Sequence, residues 1–208
     1  MYQVRSQAAE DQGSFRSAVS MRSLFRRPKI GVMASARLPV SEPEDQRLTA
    51  AAIRLGEVIA ERGCLLVTGA TTGIPDIVSR AARKDGALTI GISPASCREE
   101  HVSRYSLPDD GVDLIIYTGF GLKGRNVINV RSSDVVIIFG GGMGTLNEFT
   151  IAYDEGKVVG VLLGTGGVAD RISEIAALST RSESSQIVFA SRPEDLIDAC
   201  LRAFSGQD

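Results

Sequence analysis

A single histidine, His101, serves the whole chain of 208 residues. A Ser-His-Asp triad or a histidine-based metal site therefore has almost no material to draw on. His101 itself sits in a polar stretch and reads as a solvent-exposed loop residue. Cysteine is scarce too. Cys64, Cys97 and Cys200 are odd in number, far apart and never spaced as Cys-x-x-Cys. That argues against a disulfide framework or a zinc ribbon and for a reducing compartment, the cytoplasm; no metal site is expected. Hydrophobic runs are short, and none approaches the roughly 18 apolar residues of a membrane span, so a soluble chain with no membrane partner is expected. Charge of either sign is nearly balanced, the net value being -2. No overall basic field exists to recruit nucleic acid, and an anionic ligand would have to be held locally.

What is present suits one globular domain with a sizeable core: 43% of the residues are hydrophobic and 23% charged. That domain is expected over residues 29–208. Residues 1–28 read as a mobile extension, with Arg5, Arg16, Arg22, Arg26 and Arg27 standing against only Glu10 and Asp11. Arg and Ser enrichment keeps a targeting peptide as the rival reading, and Met21 is an alternative start.

From residue 29 onward strand and helix signals alternate. Apolar runs at 29–34, 64–68, 87–92, 112–118, 134–139, 158–163 and 186–190 predict strands. Helical spacing or start signals predict helices at 44–62, 74–84, 122–131, from Thr145, at 169–178 and at 193–203. Residues 93–111 are expected to form a long connection. The pattern predicts an α/β fold: a doubly wound, mostly parallel, Rossmann-like sheet with helices on both faces.

The stretch 134–149, DVVIIFGGGMGTLNEF, organises the rest. A fully apolar strand runs into a turn of Gly140, Gly141, Gly142 and Gly144, and Thr145 is expected to open a helix. Backbone N–H groups can approach a ligand there, beside the positive end of a helix. Glu148 has two readings: the partner of Thr145 in a capping box, or a ligand-binding or catalytic carboxylate. A second turn of this type, Gly69-Ala70-Thr71-Thr72-Gly73, follows the strand at 64–68. If both strands are parallel, both turns open on one sheet edge and one ligand can touch both. Ser35 and Arg37, in the loop after the first strand, are weaker phosphate candidates. A P-loop is excluded because Arg125 and Asn126, not lysine and Ser/Thr, follow Gly124; a dinucleotide fingerprint is excluded because MASARL follows the first strand.

With these residues in hand the chain resembles the lonely guy, formerly "lysine decarboxylase-like", family. Gly140-Gly141-Gly142-Met143-Gly144-Thr145-Leu146-Asn147-Glu148 stands where that family has Pro-Gly-Gly-x-Gly-Thr-x-x-Glu, and Arg125 lies nine residues before Asp134. Gly140 in place of proline and Asn126 in place of lysine bring it nearer the molybdenum cofactor carrier-like branch. The resemblance implies a phosphorylated ligand, a nucleotide or a molybdopterin-type cofactor, with no cofactor required. It would be held by Ser35, Gly69, Ala70, Thr71, Thr72, Gly73, Arg125, Gly141, Gly142, Met143, Gly144, Thr145 and Glu148. For the hydrolase branch it implies release of free base and ribose 5-phosphate from a nucleoside 5'-monophosphate, with Arg125 and Glu148 catalytic. It also implies a homo-oligomer, dimer or tetramer. Decarboxylation has no support, since no pyridoxal site is evident. Arg131 ranks second as the site cation, and Asp134 is expected to orient the strand entry.

Overall fold

A computed structural model describes residues 27–36, 42–179 and 185–206. Most of the extension expected over residues 1–28 lies outside them, as does Arg37. Seven of the apolar runs are strands: β1 (Lys29–Ala34), β2 (Leu65–Thr68), β3 (Thr89–Ser93), β4 (Leu114–Tyr117), β5 (Val135–Phe139), β6 (Val158–Leu162) and β7 (Ile187–Ala190). All pair in parallel, in the order β4-β3-β2-β1-β5-β6-β7. Between them lie helices α1 (Glu42–Glu61), α2 (Ile74–Lys84), α3 (Arg98–Ser103), α4 (Gly121–Arg131), α5 (Met143–Asp154), α6 (Ile172–Ala176) after a 3-10 turn at Ala169–Arg171, and α7 (Pro193–Ser205).

β5 is buried at every position, and its β-branched side chains pack both ways because helices cover both faces of the sheet. On one face Ile30, Leu66, Val135 and Ile137 meet Leu55 and Ile59 of α1, Val78 of α2 and Leu196 of α7. On the other, Met33, Val136, Ile138 and Val159 meet Val130 of α4 and Phe149 and Ala152 of α5. The layout positions the site. The chain builds outward from β1 to β4, then α4 carries it back to lay β5 on the other side of β1. The loops leaving β1 and β5 therefore part, opening a crevice at the point where the strand order reverses.

Several boundaries differ from expectation, each for a local reason. Residues 27 and 28 belong to the fold, not to the extension: Leu65 N donates to Pro28 O (2.9 Å) and Arg27 Nε donates to Gly63 O. Within the long connection, α3 forms over Arg98–Ser103. His101 on that helix is fully buried, not exposed. Its Nε2 lies 2.9 Å from Pro108 O, an acceptor only, so Nε2 carries the proton and Nδ1 accepts from the Ser93 hydroxyl at 2.8 Å. The surrounding polar residues satisfy one another instead, as in Ser96 N to Glu100 (2.8 Å), which is why the stretch read as solvent-facing. Lastly, α5 starts at Met143, with Gly142 as its N-cap, two residues earlier than Thr145.

Candidate functional site

A cavity of about 340 Å³ opens in the crevice at the carboxyl ends of β1, β2 and β5. Both glycine turns reach it. Gly69 and Thr71 line one wall, Gly142, Gly144 and Thr145 another, and Ser35 lies between them after β1. Gly142 and Gly144 have open space where a Cβ would stand, so the bare start of α5 faces the cavity. The N–H groups of residues 143–145, in the first turn of α5, have no acceptor within their own helix and carry the positive end of its dipole.

The capping box does not form. No side-chain cap bond exists at this helix start. Thr145 is buried and its hydroxyl end packs beside Gly141, where an added Cβ would come within 2.2 Å of Thr145 Oγ1. Glu148 is thereby free of the role that spacing alone favours, and it lines the cavity with 6% of its surface exposed. Arg125 of α4, also 6% exposed, stands across from it, Nη1 to Oε1 being 3.5 Å. Burial dominates both ions: it pushes the Glu148 carboxyl above the ordinary carboxylate range, against the pull of Arg125, Asn129 and Lys123. It pushes Arg125 down against the pull of Glu148. Since a guanidinium keeps its proton in proteins, the adjustment falls on Glu148.

Gly69 has a different task from the one its turn suggests. A Cβ there would lie 2.1 Å from Arg125 Nη1, so the missing side chain is the space that the guanidinium occupies. Gly73 takes φ +75° at the start of α2, where a Cβ would meet the Ala36 backbone. Thr72 donates to Ala36 O (2.9 Å) and Ile74 N to Ser35 O (3.1 Å). Thr72 and Gly73 thus brace the loop after β1 and do not line the cavity. Ala70, buried with φ +49°, and the exposed Met143 do not line it either. Gly141 faces a neighbouring cavity of about 300 Å³, bounded by Phe139, Gly140 and Thr165 and joined to the first through Ser35. Arg131 points away, paired with Glu155 at 2.6 Å on the surface. Asp134 receives Lys29 N (2.8 Å) and Lys29 Nζ (2.7 Å), tying the entries of β5 and β1 as expected.

The turn after β5 is anchored from the far side. Gly140 N donates to Thr165 Oγ1 (2.9 Å), Thr165 Oγ1 donates to Leu162 O (2.6 Å), and Ala169 N and Val168 N donate to Gly140 O and Gly141 O (3.0 Å each). With φ +58°, Gly140 adopts a conformation closed to proline. The replacement of proline by glycine therefore marks a differently built turn, stiffened by hydrogen bonds in place of a ring.

Three lining residues escaped sequence reasoning as ligand candidates: Lys123, Asn126 and Asn129. The available signal was spacing on α4. Arg125, Asn126 and Asn129, at i, i+1 and i+4, occupy buried positions where a packing helix would be apolar. The Asn126 amide lies 2.9 Å from Asn147 Oδ1; turned over, its nitrogen would donate to Leu122 O (2.9 Å) and Glu148 Oε1 (3.2 Å). No group of three or more His, Cys, Asp or Glu side chains among the described residues could hold a metal ion. No helix among them is long and apolar enough to cross a membrane.

A doubly wound parallel sheet with a small-ligand crevice at its switch point defines the class. Within it the chain belongs to the SLOG cluster4 family, whose model matches residues 27–197. It is 38% identical over 118 residues to an uncharacterized protein of Archaeoglobus fulgidus, covering 57% of this chain and 72% of that one. It is 31% identical over 117 residues to a cytokinin riboside 5'-monophosphate phosphoribohydrolase of Mycobacterium tuberculosis, covering 56% of this chain and 59% of that enzyme's length. Among solved structures it is similar to the molybdenum cofactor binding protein of Rippkaea orientalis: TM-score 0.67, 33% identity, 86% of this chain and 98% of that one. The molybdenum cofactor carrier protein of Chlamydomonas reinhardtii gives a TM-score of 0.66 at 30% identity, over 86% of this chain and 99% of that one. DNA processing protein A of Helicobacter pylori, 21% identical with a TM-score of 0.59 over 87% of this chain and 84% of that one, shares the fold alone. The lonely guy resemblance and the Rossmann-like architecture both hold.

Proposed function

We propose that the protein binds and carries a phosphorylated, nucleotide-like ligand, a nucleotide or a molybdopterin-type cofactor, with its phosphate on the N-terminus of α5. One observation carries this reading: the two glycine turns meet at one cavity whose lining also holds a buried Arg125 and Glu148. Phosphate would take the N–H groups of residues 143–145 and the fixed donors of Arg125. The carrier proteins of similar fold support a cargo of this kind. A pterin has N–H and carbonyl edges suited to Asn126, Asn129 and Glu148, while among the described residues no cluster of His, Cys, Asp or Glu stands ready for the metal itself.

The second reading is a phosphoribohydrolase, favoured by the mycobacterial relative. Water would add across the bond between the sugar C1' and the base nitrogen, oxygen going to C1' and a proton to the base. Glu148 would have to be ionised to steady the developing sugar cation. Burial works against that ionised form while Arg125, Asn129 and Lys123 favour it. Gly140 and Asn126, where the hydrolase motif has proline and lysine, favour binding without turnover.

The test is a calorimetric titration with AMP, GMP and a phosphorylated pterin, run beside a chromatographic assay of base release from AMP, GMP, CMP and IMP. Binding without release is expected, and Gly142→Val should abolish binding by filling open cavity space while leaving the fold intact. Unchanged affinity in that variant would put the site elsewhere. Robust base release that vanishes in Glu148→Gln would overturn the carrier reading.

A further inference from the structure

One buried oxygen in the cavity lining is used by neither the phosphate nor the Arg125–Glu148 pair. Asn129, fully buried on α4, lines the cavity, and its Oδ1 has no hydrogen-bond partner among the described residues. Its amide nitrogen is occupied: Nδ2 donates to Met33 Sδ at 3.1 Å, and the same side chain steadies the Glu148 carboxylate. Arg125 Nε, one helical turn earlier, is likewise buried and without a partner. An orphaned buried carbonyl and an orphaned buried N–H each cost desolvation that only an outside group can return. The first asks for a donor and the second for an acceptor. A hydroxyl supplies that donor.

Resting on the reading that phosphate sits at the start of α5, we infer that Asn129 is a specificity-determining residue that accepts a hydrogen bond from a sugar hydroxyl of the ligand. The pocket thereby prefers phosphorylated ribosyl compounds to their deoxy counterparts. The placement suits this. Glu148, which shares the cavity with Asn129, lies about one turn of α5 inward from the phosphate-facing N–H groups, a separation of roughly 5 Å. The part of a nucleotide that lies one such step from its phosphate is the sugar, not the base. Asn129 Oδ1 thus contributes the acceptor for the sugar hydroxyl.

Calorimetric affinities of the full-length protein for AMP, 2'-deoxy-AMP and 3'-deoxy-AMP test this. The parent should bind AMP about ten- to a hundredfold more tightly than at least one deoxy analogue, because that analogue leaves the buried oxygen unpaired. Asn129→Leu should lower AMP affinity to the level of that analogue while leaving the analogue's own affinity within about twofold, so the ratio collapses. A merely structural role would weaken all three ligands together and keep the ratio. Equal binding of AMP and both analogues by the parent overturns the inference even if Asn129→Leu fails to fold, and leaves the phosphate-binding function standing. Binding of a phosphorylated pterin with none of AMP or its analogues also overturns the inference alone. Failure of every phosphorylated probe overturns both.

Discussion

Replacing Gly69 with alanine adds a methyl group where the site has no room for it. The three nearest atoms to the new Cβ are all from Arg125: Nη1 at 2.1 Å, Cζ at 2.6 Å and Nη2 at 2.9 Å. Ordinary contact begins at about 3.5 Å, so the guanidinium must retreat by more than about 1 Å. The backbone has no objection, because Gly69 is not among the glycines with positive φ. The fold should therefore change little: about 0.4–1 kcal/mol is gained from the stiffer unfolded chain, set against about 1–3 kcal/mol for crowding if the guanidinium cannot yield. Arg125 can yield towards the cavity, and the net shift in melting temperature should stay within about 4 °C. Ligand binding should not survive so well. A displaced guanidinium forfeits a charge-assisted pair of hydrogen bonds worth about 1.5–3 kcal/mol, roughly a ten- to 150-fold weaker Kd. Calorimetry with AMP and a thermal melt on the same preparation give both quantities, with Gly142→Ala, which meets nothing within 4 Å, as a measure of simple space filling. Unchanged affinity in Gly69→Ala, with the fold retained, would refute the assignment of Arg125 as the ligand's cation.

Gly140→Pro should cost at least about 3 kcal/mol, since proline can neither take φ +58° nor supply the N–H to Thr165. A fall of roughly 6–12 °C in melting temperature is expected, and a retained midpoint would mean that the turn can adopt the form seen in proline-bearing relatives. Thr165→Val should cost about 1–3 kcal/mol in denaturant unfolding by leaving Gly140 N and Leu162 O without the hydroxyl that joins them; no loss would mean that water replaces it. Glu148 should give stability a pH dependence of definite sign. Between the ordinary carboxyl value of 4.5 and the raised folded value, the native state keeps a proton that the unfolded chain releases, so stability is lost as pH rises through that window. The parent's melting temperature relative to that of Glu148→Gln should therefore fall from pH 4.5 upward, and a flat difference would contradict the raised value. A chain beginning at Arg27 should keep the parent's midpoint, as the Arg- and Ser-rich makeup of residues 1–26 suggests, whereas one beginning at Lys29 forfeits the Pro28 and Arg27 bonds to the start of β2. Equal midpoints for the two shortened chains would remove any role for those bonds.

The sheet was legible because its strands are almost purely apolar and its turns are punctuated by glycine. Val135–Phe139 can sit only in a covered parallel strand, and Pro75 with Gly73 before it marks the start of α2. The strand order was not legible, since nothing local to β4 says that its successor returns to the middle of the sheet. His101 misled because the partners that bury it, Ser93 and Pro108, are brought together by the turn at the end of β3 and not by sequence periodicity. In the site, the glycine turns and the spacing of Arg125 to Asp134 carried the signal. Asn129 gave none on its own: a helix asparagine is usually solvated, and only its burial with an unpartnered Oδ1 separates it from that majority.

The hydroxyl of Thr165 makes two neighbouring loops into one mechanical part. Asp170 holds Gly164 N (2.8 Å) and Gly166 N (3.0 Å), the same loop reaches Gly140 through Thr165 Oγ1, and Gly140 leads straight to the first turn of α5. A pull on the amides at the start of α5 is thus borne by β6 and the segment after it, on the opposite side of β5 from β1. The two walls are rooted in different strands but touch where Asn126 meets Asn147 (2.9 Å) and Arg125 meets Glu148 (3.5 Å), so a shift of the 164–170 loop would reach the guanidinium through α5.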